Sequence, residues 1–184
     1  MLEMRIHGRG GQGVVTMAEL LVKAALKDGR EAQTLPFFGV ERRGAAVKTA
    51  VRFDSSPIKV RSLSYHPDLL VLMHENLLDI GLSQGISPEG YFIVNGQDPV
   101  PVRGIQWLVD AAGIAIQNGL IVGGEPFINI PMLGALCRVF EIPFSTLEET
   151  IREQWEGEKV EPNVTAAKEA YESIKQVEEV GFNG

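Results

Sequence analysis

The stretch Gly8-Arg9-Gly10-Gly11-Gln12-Gly13 lies between a short strand-like run at residues 2–7 and an amphipathic segment that begins at Val14, so it reads as the turn of a first β-α unit. Four glycines in six residues let the backbone take positive φ and leave no Cβ to hold a ligand or a neighbouring element away. At the start of a helix such a turn presents unpaired N–H groups and the positive end of the helix dipole, which suits a phosphate or a carboxylate. The spacing of Gly8, Gly10 and Gly13 matches the G-x-G-x-x-G fingerprint of dinucleotide sites. Such a site also needs an acidic residue about 20 residues further on, at the tip of the second strand. Here the second strand, residues 31–35, runs into Pro36-Phe37-Phe38-Gly39 with no carboxylate. A nucleoside triphosphate loop is excluded, because no Lys-Ser or Lys-Thr pair follows the last glycine. Two readings stay open: a turn needed only for tight packing, and a contact for an anion or nucleotide phosphate.

After the turn, Val14, Ala18, Leu21, Val22 and Ala25 share one face at helical spacing, and Gly29 is placed to stop the helix. With residues 31–35 as a strand, the N-terminus is a Rossmann-like β-α-β unit. Next comes Pro36-Phe37-Phe38-Gly39-Val40-Glu41-Arg42-Arg43-Gly44, at once aromatic, charged and glycine-bounded. A loop at the carboxyl ends of parallel strands is where open α/β sheets place ligands. Arg42 and Arg43 can grip phosphate or carboxylate in a fork. Alternatively, Glu41 and the arginines pair with one another or with a neighbouring subunit. The candidate binding set is therefore Gly8, Gly10, Gly11, Gln12, Gly13, Glu41, Arg42, Arg43 and Gly44, with no catalytic residue assigned.

Further along, Val47, Thr49, Val51 and Phe53 alternate with Lys48, Ala50 and Arg52, and a turn at Asp54-Ser55-Ser56-Pro57 leads into residues 58–61, so the pair predicts a β-hairpin and a mixed sheet. The unbroken apolar run at residues 68–73 predicts a central strand buried on both faces. His74 follows it, read as an exposed cap of the next helix in preference to a titrating group. Residues 91–95 and 105–109 read as strands and 111–117 as a short helix, with an extended proline-held linker at 97–102. Residues 120–124 fit a strand or a loop. A helix is expected over 129–140 with Pro131 in its first turn. Ser145-Thr146-Leu147-Glu148 reads as a capping box for a helix running towards Trp155. A last helix is expected over 163–180 with Val164, Ala167, Tyr171, Ile174 and Val177 on one face. Trp107 and Trp155 read as core or interface anchors. The fold class is α/β, a three-layer sandwich around a mostly parallel, mixed sheet.

A chain of 184 residues suits a single domain with a good core, and 45% hydrophobic with 22% charged residues is a globular composition. A net charge of −7 argues against nucleic acid or an anionic membrane surface as partner. No apolar run reaches the ~18 residues of a spanning helix and no signal-peptide pattern opens the chain, so a soluble cytoplasmic protein is expected. The single cysteine, Cys137, excludes a disulfide framework and a cluster held by this chain alone. It lies in an apolar helix-like segment and reads as a buried, inert thiol. His7, His66 and His74 show no metal-ligand spacing, and no metal site is assigned.

With these residues in hand, the chain resembles the gamma subunits of the multisubunit 2-oxoacid:ferredoxin oxidoreductases. The resemblance rests on Gly8-Arg9-Gly10-Gly11-Gln12-Gly13, on Phe38-Gly39-Val40-Glu41-Arg42-Arg43-Gly44 followed by the strand to Phe53, on Pro67-Asp68-Leu69-Leu70-Val71, and on Asn163 with Ala170-Tyr171. It implies an accessory subunit, inactive alone, in an assembly of alpha, beta, gamma and delta chains that serves ferredoxin. The other chains would hold thiamine diphosphate and [4Fe-4S] clusters, and coenzyme A would be the co-substrate that the glycine and arginine motifs help seat. His74 departs from the family, where similar chains often carry Asp. The Glu41-Arg42-Arg43-Gly44 form is similar to the pyruvate and branched-chain members. Two alternatives stand beside this reading: a free-standing dinucleotide- or flavin-binding reductase, and a purely architectural subunit.

Overall fold

The computed structural model describes residues 1–37, 45–60, 62, 66–83 and 85–177. Four strands, β1 (Leu2–Arg9), β4 (Leu69–Leu72), β5 (Tyr91–Asn95) and β6 (Ile105–Val109), lie side by side and parallel. On the β1 side, β3 (Ala46–Asp54) pairs antiparallel with β1, and β2 (Glu31–Pro36) pairs antiparallel with β3. At the far edge β9 (Lys175–Val177) runs antiparallel to β6. The order is β2-β3-β1-β4-β5-β6-β9, with five of the seven strands pointing the same way.

The strand alternation divides the sheet into two buried faces. Met4, Ile6, Val47, Val51, Phe53, Leu69, Val71, Ile93 and Val109 pack under one layer of helices. That layer comprises α1 (Val14–Lys27), α3 (Ala111–Gln117), α4 (Asn129–Val139), α5 (Phe144–Gln154) and α6 (Val160–Ser173). On the other face Leu70, Leu72, Phe92, Val94 and Leu108 meet a thinner layer, made by a 3-10 turn (Glu75–Leu77), α2 (Leu78–Ser83), Ile86, Val100 and Val102. The unbroken apolar run of β4 contributes to both faces, as expected of a strand covered twice. The architecture is thus the three-layer, mixed α/β sandwich expected.

Several local expectations are corrected. The N-terminal β-α-β unit exists in direction, but β3 is inserted between β1 and β2, so the two parallel strands are not neighbours as they are in a Rossmann unit. The hairpin of residues 47–53 with 58–61 does not form. Both edges of β3 are already taken by β1 and β2, and residues 58–60 carry no regular structure, while Arg61 lies outside the described residues. Ser145 to Glu148 form no capping box: α5 starts earlier, at Phe144 behind the extended Pro143, and Glu148 bonds Arg152 instead. The last helix spans Val160–Ser173 and ends there, because residues 175–177 join the sheet beside β6. The open case at residues 120–124 resolves into a small hairpin, β7 (Ile121–Val122) with β8 (Glu125–Pro126).

Helix α1 ends as expected at Gly29, whose φ of 81 lets the Gly29 and Arg30 N–H groups donate to Leu26 O and Ala25 O. Arg30 then reaches the end of α4, donating to Phe140 O at 2.6 Å. Cys137 is fully buried in α4, and burial pushes its thiol pKa up. Trp107 and Trp155 are half-buried against the helical core, in keeping with their reading as anchors. Among the described residues no helix is long and apolar enough to cross a membrane.

Candidate functional site

A cleft of about 940 Å³ opens at the carboxyl ends of β1, β4, β5 and β6. Arg9, Gly10, Gly11 and Gln12 form one wall, Met73, His74 and Glu75 continue it after β4, and Asn95, Gly96 and Asp110 follow after β5 and β6. The β7–β8 hairpin and Phe127 close the opposite side. This is the crevice that an open α/β sheet offers a ligand, because the loops after parallel strands diverge there and helix N-termini point into it.

The glycine corner is held from within. Gln12 folds back so that its Oε1 accepts from Arg9 N–H at 2.7 Å, and its own N–H donates to Arg9 O at 3.1 Å. Gly10 N–H donates to Ala45 O at 2.8 Å. Gly11 and Gly13 take the positive φ values, 94 and 70, and Gly13 is the N-cap of α1. The N–H groups of Val14 to Thr16 precede the first helical bond, from Met17 N–H to Gly13 O, so they are the end donors a helix cannot satisfy itself. Gly8 belongs to β1, opposite Val47, and serves packing: a Cβ there would run into Val14 and come within 3.1 Å of Met73 Cγ. Gly13 is also pressed, with Asn129 Nδ2 at 2.7 Å and Phe127 Cζ at 2.8 Å from where a Cβ would sit.

Of the residues singled out in the sequence, Gly10, Gly11 and Gln12 line the cleft, while Gly8 and Gly13 build the corner from behind. Glu41, Arg42, Arg43 and Gly44 lie outside the described residues. The flanks of that segment are described. Phe37 N–H donates to Lys48 O at 3.4 Å, beyond the end of β2, and Ala45 O accepts from Gly10. The chain therefore leaves and rejoins the sheet at the edge where the glycine corner stands.

Other lining residues were not anticipated. Asp110, the N-cap of α3, accepts from Gly113 N–H and Gln97 Nε2, each at 2.8 Å. Asn95 donates to Met73 O and accepts from Ala112 N–H, tying three strand ends together. Each follows a strand read from the sequence, so its place at the sheet edge was legible, but not its neighbours. Glu75 and Glu125 also line the cleft. Arg9 turns its Nη2 to Asn76 Oδ1 at 3.1 Å, and His74 is exposed and caps the 3-10 turn by accepting from Asn76 N–H at 3.4 Å. Among the described residues no group of three or more His, Cys, Asp or Glu is placed to hold a metal ion.

Comparison with known proteins places this geometry. Residues 3–173 match the family model of the pyruvate ferredoxin/flavodoxin oxidoreductases. The pyruvate synthase subunit PorC of Methanothermobacter thermautotrophicus is 40% identical over 180 residues, covering 96% of this chain and 98% of that protein. The common gamma subunit of the pyruvate/ketoisovalerate oxidoreductases of Pyrococcus furiosus is 38% identical, covering 97% and 100%. The crystal structure of the pyruvate oxidoreductase subunit PORC of Thermotoga maritima superposes with a TM-score of 0.79 at 31% identity, covering 96% of this chain and 98% of that one. The same fold, at 20% identity and a TM-score of 0.77, spans 32% of a longer chain in a 2-oxoglutarate:ferredoxin oxidoreductase from Magnetococcus marinus. The chain belongs to the pyruvate ferredoxin/flavodoxin oxidoreductase family, matching its gamma subunits over nearly their whole length.

Proposed function

We propose that this chain is the accessory gamma subunit of a cytoplasmic 2-oxoacid:ferredoxin oxidoreductase, in which a 2-oxoacid and coenzyme A become acyl-coenzyme A and CO2 while ferredoxin is reduced. Its partners in this reading are the alpha, beta and delta subunits, and through them ferredoxin. Thiamine diphosphate and the [4Fe-4S] clusters belong to those other chains. Cys137 is the only cysteine and is sealed in α4, so the donor set here does not fit a cluster, and no electron-transfer step is assigned to this chain.

The part assigned to this subunit is to seat phosphates of coenzyme A where α1 begins, with Arg42 and Arg43 as the cationic forks. One observation carries the reading: the glycine corner opens on the cleft and is bonded, through Gly10 and Ala45, to the end of the segment that bears those arginines. The free-standing dinucleotide reading loses support from the strand order. Because β3 separates β2 from β1, the β2 tip stands about 9–10 Å from the corner instead of one strand spacing away.

In the assembled complex, Arg42→Ala is expected to raise the apparent KM for coenzyme A about tenfold and to change the oxoacid KM less than about twofold. Equal changes in both would remove coenzyme A contact from the role. The architectural reading has an observation of its own, since the N–H groups of Arg9, Gly10 and Gln12 are already used inside the corner. Unchanged coenzyme A kinetics in Arg42→Ala would decide for it.

A further inference from the structure

The β7–β8 hairpin stands at the mouth of the cleft and exposes side chains that a lone surface would bury. Ile121 is 46% and Val122 53% exposed, and Ile116, on the last turn of the helix that feeds the hairpin, is 58% exposed. Single exposed aliphatics are ordinary, but three within seven residues beside a cleft mark a contact surface. A ladder this short does not hold itself. Its base is tied instead: Leu120 N–H donates to Ala115 O at 2.8 Å and Phe127 N–H to Leu120 O at 2.7 Å. The exposed aliphatic arm, β7, is thus presented on a fixed stem.

Charge narrows what covers it. Glu125 on β8 and Glu75 across the cleft carry carboxylates with no hydrogen bond or ion pair among the described residues. Arg9, the only described Lys or Arg lining the cleft, is turned to Asn76. The two unpaired carboxylates at this rim, beside aliphatic side chains, complement a protein surface in which apolar residues surround a lysine or arginine.

We propose that the hairpin, with Ile116, Glu75 and Glu125, docks a neighbouring subunit of the oxidoreductase that brings such a basic, apolar surface. The proposal deepens the subunit reading and rests on it. Docking there neutralises the rim and sets the partner beside the glycine corner, so that the cleft is completed between two chains.

The test co-expresses the tagged chain with the other subunits of the oxidoreductase and measures how much of them it retains. Ile121→Asp with Val122→Asp is expected to lower retention at least about tenfold, with far-UV circular dichroism and melting temperature unchanged, since both side chains face solvent. Glu125→Lys is expected to lower it about tenfold at about 50 mM salt and clearly less at about 500 mM, where the charge is screened. A hairpin variant that stays folded and retains partners like the wild type overturns the proposal. A neutral Glu125→Lys at low salt overturns the basic partner. If the lone chain is a dimer that the hairpin variant dissolves, the occupant is a second copy and the proposal is likewise wrong. A wild-type chain that captures no oxidoreductase subunit defeats the subunit reading itself, and this docking site with it.

Discussion

Gly13 sits at φ 70, ψ 29, where the turn after β1 becomes α1, and its missing side chain leaves room for Asn129 and Phe127. A left-handed conformation costs an L-residue about 1–2 kcal/mol, and forced crowding in a packed site about 1–3 kcal/mol. Gly13→Ala is therefore expected to destabilise the chain by about 2–5 kcal/mol in urea denaturation, and a wild-type midpoint would show that the corner relaxes freely. The second decisive residue pair lies on the other sheet face. Glu3 and Arg52 are cross-strand partners, both buried, with Arg52 Nε and Nη2 donating to Glu3 Oε2 at 2.8 and 2.6 Å. Arg52 also donates to Val60 O at 2.8 Å and to Ser62 O, so its fork is used on two sides. Glu3→Ala leaves that guanidinium without its carboxylate and is expected to cost about 3–5 kcal/mol. Glu3→Leu with Arg52→Met, which removes both of these charges together, should recover part of that loss by the same denaturation measurement. The recovery is incomplete because the buried Arg5, whose Nε lies 3.9 Å from Glu3 Oε1, also loses that carboxylate.

At the scale of elements, Gly134 lets α4 lie directly on α6. A Cβ there would collide with Ala167 O and stand 2.9 Å from its carbonyl carbon, so backbone, not a side chain that can swing away, blocks it. Gly134→Val is expected to cost about 1–3 kcal/mol and to lower the melting temperature by roughly 2–12 °C. An unchanged melting temperature would mean the two helices slide apart without penalty. The elements legible in the sequence are those whose own pattern decides them: α1 with its one apolar face, the apolar run of β4, the stop at Gly29. What was not legible depends on partners far along the chain. Lys48, Ala50 and Arg52 alternate with apolar residues as a solvent-facing edge would, yet Ala50 and Arg52 are buried, because β3 is flanked on both sides and the Glu3 carboxylate waits opposite. Residues 174–177 continue the helical spacing of α6 on paper, but pairing with β6 wins. The same holds for the site: its glycines declared themselves by spacing, whereas Glu75, Asp110 and Glu125 meet only once the parallel strands are ordered.

Over the whole molecule, the two sheet faces answer acid differently. Among the described residues, the face under the five helices carries no buried charge and is apolar apart from Thr34 and Thr49 towards the β2 edge, while the opposite face is apolar only beneath β4 to β6 and is lined at β1 and β3 by Glu3, Arg5, His7 and Arg52. His7 is held neutral there: burial first, then the charges of Lys48 and Arg5, lower its pKa from 6.5 to about 4. A base whose folded pKa is depressed binds its proton more readily when unfolded, so folding stability is full above pH 6.5 and falls as the pH drops towards 4. The total loss is about 3 kcal/mol. The surface carboxylates act lower on the scale. Glu153, held down to about 2 by Lys23 and Lys27, gives up its contribution only as the pH falls from the ordinary carboxylate range through that value. Urea denaturation at steps between pH 7.5 and about 5 therefore isolates the histidine. Stability should drop by about 2 kcal/mol across that window in the wild type, and His7→Gln, which cannot take up the proton, should leave it nearly flat. A slope that His7→Gln does not change would place the acid sensitivity elsewhere in the fold.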